Sequence, residues 1–245
     1  MARATPTGQV ELRALLSDRI QAVEQRIQAA CARAGRERGD VRLIAVTKTV
    51  TPEIARLLPE LGFVDLGESR PQELWRKATV LPAGVRLHLV GHLQRNKIER
   101  TLPLVHLIHS VDSVRLLEAL EQAADKTQRT LPVLLEVNAS GEASKHGFAP
   151  AAIPGLANQI GSVRRIRVDG LMTMAAHDAD AERSRPTFVM LRELRDGLRR
   201  ALEAPDALPH LSMGMTNDFE VAIAEGATMV RVGTALFEGV CDPAT

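Results

Sequence analysis

Residues 42–62 read RLIAVTKTVTPEIARLLPELG, and this stretch decides how the rest of the chain is read. Its first part is apolar and β-branched, as a buried strand is. Thr51 then stands as a cap and Pro52 at the first helical position, so 51–62 predicts a short helix. The pair is one strand-then-helix unit. Lys48 ends the strand, where the chain leaves the core. An amine there has two readings. Its head reaches water along an apolar stem, or it is paired or chemically engaged.

Outward from this unit the pattern repeats. Strands are predicted at 63–67, 86–91, 105–111, 131–138, 165–174, 208–214 and 228–234. Helices follow them at 71–80, 93–102, 112–126, 149–162, 185–202 and 217–226, with a final turn at 235–240. Pro154 lies near the start of its helix and Pro186 opens another. Asn217 and Glu220 are spaced as a capping pair. A leading helix begins at Glu11 and stops near Gly35, with Leu12, Leu15, Leu16, Ile20, Val23, Ile27 and Ala30 at helical spacing. It serves as a barrel cover or as a self-association surface.

Eight units of about 30 residues fill a chain of (β/α)8 size. The expected fold is therefore α/β, a single-domain (β/α)8 TIM-type barrel over 11–241, with a flexible tail at 1–10 and another at 242–245. A doubly wound open sheet is the rival. Even spacing and the lack of a long excursion favour the barrel.

The 245 residues carry 31 basic and 30 acidic side chains and are 45% hydrophobic. That balance argues against an electrostatic nucleic-acid binder. Aromatics are 2% of the chain, too few for a base-stacking platform. Cys31 and Cys241 are too few and too far apart for a disulfide framework or a zinc site. No signal peptide and no apolar run of about 20 residues is visible. A monomer of the reducing cytoplasm, bound to no membrane, is expected. The chain contains no tyrosine, which closes any mechanism that needs a tyrosine acid or base.

In a barrel the chemistry sits at the C-terminal ends of the strands. Those ends supply Lys48, Glu68, His92, Ser110, Asn138, Thr173, Ser212, Gly233 and Thr234. Two stretches are more specific, LSMGMTND at 211–218 and MVRVGTALF at 229–237. Loops after strands seven and eight often build a phosphate site, with small residues and backbone N–H groups. Ser212, Gly214, Gly233 and Thr234 have that chemistry. Arg231 lies inside an apolar run and needs a planar acceptor. Two are open to it: a carboxylate such as Glu68 or Glu136, or a ligand's ring nitrogen. A lysine amine, a phosphate cradle and an arginine on one face suit pyridoxal 5′-phosphate, held by Lys48 as an aldimine. An arginine at the pyridine nitrogen keeps it unprotonated and the ring a weak electron sink.

The segments LIAVTKT, LGESRPQEL, HLVGHLQRNK, IHSVDS, EVNASGEASKHGF, GLMTM and LSMGMTNDFEVAIAEGATMVRVGTALF resemble the pyridoxal-phosphate homeostasis proteins. That family is similar in fold to the barrel domain of alanine racemase. The resemblance implies that Lys48 is the covalent lysine and that Arg231 faces the pyridine nitrogen. It implies phosphate contacts at Ser212, Gly233 and Thr234. It further implies a cofactor carrier or buffer without established turnover, with apo-forms of pyridoxal-phosphate enzymes as partners. The chain departs from the family pattern at Ser69–Arg70, His92 and Glu238. A low-activity racemase is the enzyme alternative, with His92, His146 or a loop carboxylate as the second base. A metal-dependent hydrolase is a third reading, from His88 and His92 at H-x3-H spacing with His106 and His109 following. It lacks a carboxylate-rich ligand set, and His88 and His106 read as satisfied barrel histidines.

Overall fold

A computed structural model describes residues 6–142, 145–176 and 180–240. Helix α1 (Pro6–Arg33) precedes strand β1 (Arg42–Val46). Next come the one-turn helices α2 (Pro52–Ala55) and α3 (Leu57–Glu60), strand β2 (Asp65–Glu68) and helix α4 (Pro71–Ala78). Strand β3 (Arg86–Leu89) leads to α5 (Ile98–Thr101), and β4 (Leu107–Val111) to α6 (Val114–Lys126). Strand β5 (Leu131–Glu136) leads to α7 (Ala157–Ser162), and β6 (Ile166–Met172) to α8 (Arg185–Ala201). Strand β7 (His210–Ser212), α9 (Phe219–Ala224), β8 (Met229–Val232) and α10 (Thr234–Phe237) complete the order.

The eight strands are parallel and close in chain order, β8 pairing with β1. The predicted barrel is the observed fold, and the open sheet is excluded by that closure. Most apolar side chains lie between strands and helices, where each helix lays down one apolar stripe. In α6, Leu116, Leu117, Leu120, Ala123 and Ala124 are buried, and Ser113 caps the helix by accepting from Leu116 N–H. A smaller apolar set, Ile44, Leu107, Leu134, Met172 and Met229, occupies part of the barrel interior.

Helix α1 begins at Pro6, five residues before the periodic pattern predicts, so residues 6–10 are helical. It covers α9 and α10. Leu16, Ile20, Val23, Ile27, Ala30 and Cys31 are buried, and burial pushes the Cys31 thiol up. Arg26 bonds Glu220 and lies over the Phe219 ring at 4.5 Å, while Arg36 donates to the carbonyls of Ile223 and Ala227. The cover expected of it is built. Cys241 and the 242–245 tail lie outside the described residues.

Three local expectations change. Residues 150–156 form a 3-10 segment with Pro154 inside it, because a proline removes a donor that an α-helix needs. The helix predicted at 51–62 is two single turns. The cap of α9 is Asp218, not Asn217. Asp218 accepts from the N–H of Met215 and from Ser184, and Glu220 is spent on Arg26.

Candidate functional site

Strand alternation sorts the end of β1. Ile44 and Val46 point into the barrel, where both would touch a Cβ added to Gly67. Thr47 points outward. Its hydroxyl bonds Glu68, and its carbonyl accepts from the ammonium of Lys77. Lys77 on α4 and Glu68 on β2 form a wholly buried ion pair, 1% and 0% exposed. The pair clamps Thr47 to the outer face, and Lys48 follows it in the chain. Lys48 is exposed in the turn at the barrel mouth and makes no hydrogen bond or ion pair among the described residues. One oxygen of Glu68, Oε2, has no partner among the described residues.

Arg231 sits on β8 opposite Ile44. It is 4% exposed and pairs with no carboxylate among the described residues. One Nη donates to Ser212 Oγ at 2.6 Å and the other to the Thr173 carbonyl at 2.9 Å. Two of five N–H donors are thereby spent, and the described residues supply no acceptor for the rest. Burial pushes its pKa down to about 10, with Asp218 and Glu136 opposing, so it stays charged at neutral pH. Neither carboxylate named for it in the sequence is its partner. Glu68 faces the helices. Glu136 stays a charge neighbour, its own pKa pushed up to about 7 by burial and by Asp112.

The loops after β7 and β8 need their glycines. Gly214 has φ +92, and a Cβ there would meet Ala222 Cβ at 2.6 Å. Gly233 brings its loop against β1, where a Cβ would lie 3.1 Å from the Val46 carbonyl oxygen. Gly233 is half-buried and Thr234 exposed beside it. The first amides of α10 have no intrahelical acceptor, and that of Ala235 donates to Thr216 Oγ1 at 3.4 Å.

The six expected site residues therefore divide. Lys48, Gly233 and Thr234 line the mouth, and Arg231 lies just beneath. Gly214 is a buried turn residue. Ser212 is fully buried, and its hydroxyl is committed to Arg231 and to His109. Thr216 went unnoticed in the sequence although it lies in the loop that follows Ser212. Lys77 went unnoticed too. A carboxylate at the end of an apolar strand, Glu68, was the signal for it.

The other polar strand ends hold loops together. Ser110 donates to the Gly91 carbonyl, Thr173 to that of Val137, and Asn138 to those of Glu142 and Lys145. His88 is a buried barrel histidine as expected, whereas His106 is exposed with its ring edge-on to His88. His92, Asp112 and His146 form a rim cluster with ligand atoms within 4.8 Å of one another. His92 Nδ1 bonds Asp112 Oδ2 at 2.9 Å, and the two rings stack at 4.4 Å with 16° between planes. Near-parallel planes cannot both contain one ion, so the rings as placed do not make a metal centre. No helix is long and apolar enough to cross a membrane among the described residues.

The family described as alanine racemase, N-terminal domain, matches residues 19–240. This chain belongs to it. It is 42% identical over 221 residues to the pyridoxal phosphate homeostasis protein of Aquifex aeolicus, covering 90% of this chain and 96% of that relative. Among solved structures it is similar to PipY of Synechococcus elongatus with PLP bound. The TM-score is 0.77 at 30% identity, over 91% of this chain and 99% of PipY. Alanine racemase of Clostridium difficile shares the fold, with a TM-score of 0.69 at 15% identity, over 93% of this chain and 58% of the racemase.

Proposed function

We propose that this protein binds pyridoxal 5′-phosphate through Lys48 and serves cofactor homeostasis as a carrier or buffer without catalytic turnover. The observation that carries the reading is the partnerless amine of Lys48 at the barrel mouth, above a charged Arg231 with donors to spare. PipY with PLP bound and the name of the Aquifex relative support the same reading.

The residues fit the ligand's chemistry. Lys48 supplies the amine that condenses with its aldehyde. The Gly233–Thr234 turn and Thr216 supply small, hydroxyl-bearing and amide donors for the phosphate. Arg231 donates to the pyridine nitrogen, which keeps that nitrogen unprotonated and the ring a poor electron sink. Ser212 serves the site through Arg231, and Gly214 by shaping the loop. When bound, the cofactor supplies an electrophilic aldehyde that apo-forms of pyridoxal-phosphate enzymes, the acceptors in this reading, also bind. The protein acts in the cytoplasm as a monomer.

A second reading, low-activity racemase chemistry, has one observation in its favour. Glu136 is a buried carboxyl with a pKa of about 7, close enough to feel the charge of Arg231. It lacks the tyrosine that two-base racemisation uses, since the chain contains none.

Titration with pyridoxal phosphate, followed by absorption, tests both readings. The unmodified protein is expected to gain a visible band. Lys48→Ala is expected to show free cofactor only, with an unchanged circular dichroism spectrum. An identical band in the variant overturns the role of Lys48. Alanine losing its α-hydrogen to heavy water faster than with free cofactor favours the racemase.

A further inference from the structure

The barrel interior holds a string of polar side chains where apolar layers are usual. Asp65, His88, His109, Ser212 and Arg231 come from five strands and are all buried. Asp65 Oδ1 lies 2.9 Å from His88 Nε2. His88 Nδ1 lies 2.9 Å from His109 Nε2, and His109 Nδ1 lies 2.9 Å from Ser212 Oγ. Arg231 completes the string at 2.6 Å from the same oxygen.

Its Asp65 end fixes the direction of every proton when both rings are neutral. Arg231 can only donate, so Ser212 Oγ accepts. That oxygen has a second lone pair, so the direction is set from the Asp65 end: with both rings neutral, His109 Nδ1 accepts the Ser212 hydroxyl proton. That ring, when neutral, carries its proton on Nε2 and gives it to His88 Nδ1. His88 in turn gives Nε2–H to the Asp65 carboxylate. The carboxylate is anchored by Arg86 through Nε at 2.7 Å and Nη2 at 2.5 Å, with Arg42 4.0 Å away. Burial, with His88 and Arg231 adding to it, holds His109 well below the ordinary imidazole value. Burial also lowers His88, against the pull of Asp65.

We propose that Asp65, His88 and His109 are positioning residues that act through Ser212 to fix the guanidinium of Arg231 at the mouth. This deepens the cofactor reading and rests on it in one respect, the meeting of Arg231 with the ligand ring. An anion at the N-terminal rim sets the tautomer of His88, and His88 sets that of His109. His109 turns the Ser212 hydroxyl away from the mouth and leaves its oxygen to Arg231. The guanidinium plane is then held from Ser212 on one side and the Thr173 carbonyl on the other.

Histidine-labelled full-length protein, with no ligand added, tests the chain through long-range proton–nitrogen spectra at neutral pH. His88→Gln and His109→Gln assign the signals. Both rings are expected neutral, with hydrogen on Nε2 and a bare Nδ1. A hydrogen on Nδ1 of either ring overturns the proposal, whatever the variants do. In Asp65→Asn the new amide can donate to His88 as well as accept. Both rings are then expected to lose the single-tautomer signature. Asp169→Asn removes a carboxylate of the same rim that binds Arg167 instead, and is expected to change neither ring. A change confined to His88 in Asp65→Asn breaks the link to Ser212 and overturns the proposal. If Asp65→Asn does not fold, the tautomers of the unmodified protein decide alone. Pyridoxal phosphate added to the same samples separates the two claims. Correct tautomers without a visible band leave the chain standing and sink the cofactor reading. A band with the wrong tautomers does the reverse. With both in place, the band is expected to shift in Asp65→Asn and not in Asp169→Asn.

Discussion

Two lysines flank Thr47 and have opposite surroundings. Lys77 is buried and spends its ammonium on Glu68 and on the Thr47 carbonyl. Lys48, one residue beyond Thr47, is exposed and has no partner among the described residues. Of the chain's other three lysines, Lys126 and Lys145 are paired, with Glu99 and Glu142, and Lys97 has no side-chain partner among the described residues. A buried charge survives only when its partners are built in. An amine meant for an aldehyde must be left without one. The first lysine ties α4 to the end of β1, and in the proposed reading the second holds the cofactor just beyond it.

Breaking the held side has the largest expected effect. Lys77→Met leaves the Glu68 carboxylate buried without its cation and costs about 3–5 kcal/mol. Adding Glu68→Leu to it is expected to recover most of that loss, as apolar replacement of a buried pair does. Urea melts of the single and double variants measure both, and a double variant as weak as the single contradicts the clamp.

Glu136 comes next. Its pKa in the fold, about 7, stands above the ordinary 4.5. Between those values the folded chain holds a proton that the unfolded chain has released. Stability therefore falls as pH rises through this window and levels off above it. Glu136→Gln is expected to remove that slope and to gain about 2–3 kcal/mol over the unmodified protein at pH 8. Denaturant melts at pH 5 and pH 8 measure it, and parallel pH slopes in the two proteins contradict it.

Ser212→Ala strands a donor of Arg231 and the acceptor of His109, at a cost of about 1–3 kcal/mol. Cofactor affinity is expected to fall with it, because the guanidinium loses its fixed position. Unchanged affinity at reduced stability makes Ser212 a packing residue only. The smallest change in stability belongs to Lys48→Ala, within about 0.5 kcal/mol of the unmodified protein. A large loss there makes Lys48 a structural residue.

The barrel was legible because apolar runs and helical periods alternate without interruption from Arg42 onward. Lys48 and Arg231 stood out because each is a charge in an apolar run. The interior chain was not legible. Its members are scattered, with Ser212 and His109 103 residues apart, and only the register of a closed sheet brings them together. Asp218 takes the cap position of α9 by its backbone alone, and its carboxylate serves Met215 and Ser184, contacts that the capping pattern does not reveal. Pro154 marked the start of a helix in the sequence, whereas inside a 3-10 segment its missing donor costs little.

The most direct measurement is borohydride reduction of the protein loaded with pyridoxal phosphate, followed by peptide mass mapping. All five lysines lie on distinguishable peptides, so the label reports which amine was free to react. The pyridoxyl-phosphate mass is expected on the peptide containing Lys48 and to vanish in Lys48→Ala. A label on Lys77, or one spread evenly over the surface lysines, contradicts the claim that the partnerless amine at the barrel mouth is there to hold an aldehyde.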